Sequence, residues 1–101
     1  MTKPISLLRR ELHAFCELAI RRGWRIANDS YGSAANRTCC PLGAVAIGVH
    51  GRLSASPGNS LIGGQDNANE FTAAFDGSWS QSGPYADLGR EFRKHYCPEE
   101  S

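Results

Sequence analysis

With 101 residues, 41% of them apolar and 21% charged, the chain can fold as one domain (1–101) on a single hydrophobic core. That composition lies in the ordinary globular range rather than the disordered one, and a core of this size needs neither disulfides nor a metal. The formal net charge of +1 gives no global attraction to nucleic acid or an anionic membrane, yet residues 1–50 carry seven Lys/Arg against three Asp/Glu, and residues 51–101 four against seven.

No apolar run approaches the ~20 residues of a bilayer span. At the start, Ile5–Leu8 is broken at once by Arg9-Arg10-Glu11, which does not fit a secretory leader. The expectation is a cytoplasmic protein without membrane contact, its four cysteines kept as thiols.

In chain order, the first predicted element is a helix over residues 5–26. Ile5, Leu8, Leu12, Phe15, Ala19 and Ile26 recur at helical spacing, and Cys16 and Leu18 widen the stripe. Residues 27–38 read as a loop, because Asn28, Asp29, Ser30, Gly32 and Ser33 favour turns. Residues 41–50 fit a helix through Leu42, Val45, Ala46 and Val49, with Pro41 in front and Gly51 behind. Val45, Ile47 and Val49 also alternate as a strand would, so an α+β fold with a strand at 44–50 is the alternative. Buried on most sides, this Gly/Ala-rich segment is the expected centre of the molecule.

Residues 52–65, with Pro57 and several glycines and serines, read as a second loop. Asn67 and Glu70 have capping-box spacing and predict a helix over 68–76, stopped by Asp76-Gly77. A polar loop carrying Trp79 follows. The last predicted helix runs over 84–96, from Pro84 to just before Pro98, with Tyr85, Leu88, Phe92 and Tyr96 on one face. The fold class is therefore mainly α: three to four helices joined by long irregular loops.

The most distinctive chemistry is Cys39-Cys40 before a helix start. Pro41 pushes Cys40 into an extended conformation, so Cys40 falls at the N-cap, where free N–H groups and the helix dipole lower a thiol pKa. A reactive pair competes here with two small buried apolar side chains. No cofactor is expected. Zn²⁺ is the alternative, drawing on His13, Cys16, Cys39, Cys40, His95 and Cys97, although no Cys-x-x-Cys spacing occurs. Hydrolase chemistry would need a His beside the thiolate, and His50 lies roughly 15 Å along the same helix from Cys40.

Arg10, Arg21 and Arg25 fall within one quadrant of a helix extended to residue 26, with Trp24 close by, a modest strip for nucleic acid. Trp79, between Ser78 and Ser80, is the best candidate for an exposed contact residue. These features read as a small non-catalytic binding or regulatory protein acting through a macromolecular partner, foremost another protein. The alternatives are a nucleic-acid-contacting regulator using the first-helix arginines, and a thiol redox or metal-responsive protein using Cys39 and Cys40.

Overall fold

A computed structural model describes residues 3–27, 32–78, 80 and 82–98 of the chain. Five helices are formed among them: α1 (Ile5–Arg21), α2 (Pro41–His50), α3 (Ser56–Ile62), α4 (Gln65–Phe75) and α5 (Pro84–Tyr96). Three two-residue strands, β1 (Arg25–Ile26), β2 (Gly32–Ser33) and β3 (Thr38–Cys39), lie between α1 and α2. The fold is mainly α, and residues 44–50 are helical.

α1 buries Leu8, Leu12, Cys16 and Ala19, the face its spacing predicts. It ends five residues before the expected 26. Gly23 takes φ +89°, and the Gly23 and Trp24 N–H groups return to the Ile20 and Ala19 carbonyls, a Schellman stop that frees Arg25 and Ile26 to pair as a strand. β1 runs parallel to β3 and β2 antiparallel to it, in the order β1-β3-β2. The segment read as a loop over 27–38 thus contains β2 and delivers β3, and two-residue strands carry no periodicity a sequence could display.

α2 starts and stops where its punctuation predicts. Cys40 is the N-cap with φ −81° and ψ 171°, Pro41 opens the helix, and Gly51 closes it at φ 75°. Residues 41–47 are all buried, which makes α2 the central element. The expected loop over 52–65 is instead interrupted by α3. A seven-residue segment whose first five residues, Ser56 to Ser60, favour turns holds as a helix because α3 packs on α2: a Cβ at Gly58 would come within 2.6 Å of the Leu42 carbonyl oxygen.

α4 begins at Gln65 rather than 68, capped by Gly64. Asn67 lies inside its first turn and donates from Nδ2 to the Ile62 carbonyl at 3.0 Å, so the predicted capping box is not formed. Glu70 reaches instead to the start of α5, where one carboxylate oxygen accepts from the Tyr85 and Ala86 N–H groups at 2.8 and 2.9 Å. α4 stops at Asp76-Gly77 by a second Schellman turn, with Gly77 and Ser78 N–H on the Ala74 and Ala73 carbonyls. α5 spans the predicted residues and lies against α4, its Gly89 facing the Phe71 carbonyl. Phe71, Phe75 and Phe92 are fully buried, each stabilising by about 1.5–3 kcal/mol. Among the described residues no helix is long and apolar enough to cross a membrane.

Candidate functional site

All four cysteines are free and buried. Cys40 Sγ accepts from the Gly43 N–H at 3.3 Å, the bond expected of an N-cap. The N–H groups of Leu42 and Gly43 do favour its thiolate. Burial outweighs them, and with Asp76 also opposing, the Cys40 thiol is pushed up to about 11. Burial, then Cys40, raises Cys39 to about 12. Cys16, beneath the same helix start, is also raised by burial. Helix-start geometry alone gives the opposite direction, because it takes no account of desolvation. Among the described residues no group of three or more His, Cys, Asp and Glu is placed to hold a metal ion.

A second polar cluster forms on the seam between α1 and α5. The Tyr96 hydroxyl donates to Glu17 Oε2 at 3.1 Å, which leaves its oxygen to accept from His13 Nδ1 at 3.0 Å. The His13 ring stacks on Phe92 at 4.2 Å and meets the edge of His95 at 5.1 Å. Burial first, and then His95, lowers the His13 pKa from 6.5. The Arg9–Glu91 ion pair, at 2.8 Å, clasps the same seam. Their hydrogen bonds join α1 to α5.

The arginines divide by task. Arg22 donates to the Ile47 carbonyl at 2.8 Å and ties the end of α2 to α1. Arg93 donates to the Phe75 carbonyl at 2.8 Å and does the same for α4. Both place a cation at the negative end of a helix. Arg37 bonds the Arg22 carbonyl at 2.7 Å and lies 5.1 Å from the centre of the half-buried Trp24 ring. Arg10 and Arg21 are exposed on α1, about 20° apart around the helix. Arg25 is exposed but sits in β1, so the three-arginine quadrant is not formed. Trp79 lies outside the described residues.

The surface feature that the sequence reading did not single out is an apolar groove over Phe15. Phe15 lies against Gly48 of α2, where a Cβ would come within 2.5 Å of its ring. To one side, Ala14, Leu18 and Arg21 of α1 and Glu11 bound a recess of about 300 Å³. To the other, Val45, Val49 and His50 of α2 and Pro57 and Leu61 around α3 bound one of about 460 Å³. The two share Glu11 and Phe15 and open to solvent. Val49 is 55% exposed and Leu7, on the same side of α1, 38%. Leu7 and Leu18, apolar yet set off the centre of the α1 stripe, were the signal in the sequence. No protein-family model, curated protein or solved structure matches the chain.

Proposed function

We propose that this protein is a non-catalytic binding protein whose partner is another protein, held on the α1–α2–α3 face. The observation that carries this reading is the groove over Phe15, where Leu18, Val49 and Leu61 form a shallow, open apolar surface. Exposed apolar residues scattered singly are ordinary, but a run gathered around one groove with a polar rim has the character of a macromolecular contact. A small molecule would need deeper enclosure to bury most of its own surface. The buried, protonated thiols offer no competing nucleophile.

A photo-crosslinking residue placed at Val49 in the native host tests the reading, with Lys94, exposed at the end of α5, as the control position. The expected result is a discrete protein adduct from position 49 that is absent from position 94 and disappears with Leu18→Glu. Identical adducts from both positions, or an adduct indifferent to Leu18→Glu, would overturn it.

A further inference from the structure

Building on the protein-binding reading, we infer that the groove over Phe15 receives an amphipathic helix of the partner protein, with acidic side chains along the edge that faces Arg10 and Arg21. Three features converge on that occupant. The first is length. Leu7, Glu11, Ala14, Leu18 and Arg21 succeed one another at helical spacing along one side of α1. The part that lines the groove, Glu11 to Arg21, is about 15 Å long at 1.5 Å per residue, the reach of nearly three helical turns.

The second is the state of the backbone. The long bank is α1, whose N–H and C=O groups are bonded within the helix and, at its end, to the N–H groups of Arg22, Gly23 and Trp24, and on the far bank the Ile47 carbonyl is already taken by the Gly51 N–H and by Arg22. An extended segment laid on this surface would leave its own backbone groups without partners against apolar walls. A helix satisfies its backbone internally and presents only side chains, the mode in which apolar anchors at i, i+3, i+4 and i+7 fill a groove.

The third is charge. Glu11, the acidic residue on the rim, is neutralised by Lys3 at 2.9 Å. Arg21 borders the groove, Arg10 lies on the same outer side of α1, and neither has an ion-pair partner among the described residues. Glu17, four residues before Arg21, stands on this outer side as well and accepts from the Tyr96 hydroxyl at 3.1 Å, so two arginines against one carboxylate leave this edge of α1 net positive. Exposed ion pairs add little affinity, but they set orientation and reject partners of the wrong sign, while the apolar floor supplies the attraction. The same floor disfavours nucleic acid, whose phosphates gain nothing from Phe15, Leu18 and Val49.

The test is selection of displayed 18-residue helical peptides on the full-length chain, with the Leu18→Glu chain as counter-selection. The expected winners carry apolar residues at i, i+3 or i+4, and i+7 and are enriched in Asp and Glu. Binding of a winning peptide should weaken about tenfold or more with Leu18→Glu or Val49→Asp. With Arg10→Glu and Arg21→Glu together it should weaken about threefold to tenfold, while a lysine-substituted copy of the peptide gains. Thermal melts of each variant establish that the fold is intact. No enrichment over the counter-selection, winners that are basic or uncharged, or equal displacement by a single-stranded oligonucleotide would each overturn the inference. A Val49 crosslink that persists while the acidic preference fails removes this inference alone and leaves the protein-binding reading standing.

Discussion

Removing the Glu70 side chain is the sharpest test of how the two halves of the helical layer are joined. Its carboxylate accepts from the Tyr85 and Ala86 N–H groups at 2.8 and 2.9 Å, capping α5 from a position fifteen residues away in sequence. A capping side chain contributes about 0.5–2 kcal/mol. A carboxylate acceptor and the positive helix end raise the value, so Glu70→Ala should cost about 2–3 kcal/mol, or a fall of about 10–20 °C in Tm for a domain of this size. Glu70→Gln keeps an acceptor without the charge and should cost about 1 kcal/mol. Gly83 belongs to the same device, because a Cβ there would stand 2.7 Å from Glu70 Oε2 at a backbone φ of +126°. In a double-mutant cycle, Gly83→Ala should therefore cost about 1 kcal/mol less in the Glu70→Ala background, where the clash is relieved and the dihedral strain remains. Denaturant titration gives the energies, and hydrogen exchange gives the location. Faster exchange at Tyr85 and Ala86 is expected. Fraying of residues 65–68 instead, or an additive cycle, would refute the cross-helix cap and restore the local capping box.

Three further outcomes follow from the packing. Gly89→Ala places a Cβ 2.4 Å from the Phe71 carbonyl oxygen and 3.2 Å from the Phe75 nitrogen, both backbone atoms, so it should cost about 3 kcal/mol; a loss below 1 kcal/mol in chemical denaturation would contradict the close α4–α5 approach. Cys39 and Cys40, held near 12 and 11 by burial, should alkylate at pH 8 only as fast as the protein unfolds, and either thiol labelling at the rate of a free peptide would contradict that account. His13 has a lowered folded pKa, so its unfolded form binds the proton first: stability should be full above pH 6.5 and fall as the pH drops below it. His13→Phe, which keeps a ring on Phe92, should flatten that part of the Tm–pH curve, and identical curves would exclude His13 as the cause.

Punctuation made α2 and α5 legible, since Pro41, Gly51 and Pro84 act through local backbone geometry that any reader of the chain can apply. Gly23 offered the same signal for the end of α1, but the apolar periodicity that reaches Ile26 competed with it. Ile26 is buried as expected, only from a strand. α3 was hidden because Ser56, Gly58, Asn59 and Ser60 describe a loop by propensity, and only the Gly58–Leu42 contact turns them into a helix. Glu70 misled for a related reason. Its spacing from Asn67 satisfies a local rule, whereas its partners are set by how α4 meets α5. The groove was half visible. Phe15 and Leu18 were assigned to the core stripe, and no local rule says that α3 would stop short of covering them.

The most distinctive segment of the chain, Cys39-Cys40-Pro41-Leu42-Gly43, begins α2 with Cys40 buried at its N-cap, where the charge of Asp76 at the end of α4 disfavours the thiolate. Burial accounts for the residue type at this N-cap. A side-chain acceptor stabilises an N-cap, and the usual ones are Ser, Thr, Asp and Asn. At a position only 1% exposed, a hydroxyl would bring a donor to satisfy and a carboxylate a charge to desolvate. Sulfur accepts the single Gly43 N–H bond and otherwise packs as a small apolar group. Asp76 itself is the C-cap of α4, in the Schellman turn that ends that helix. Cys40 and Pro41 set where α2 begins. They fix the register of α2, and α2 in turn presents Val49 and admits Phe15 beside Gly48, which is how a buried pair of cysteines comes to position an exposed groove.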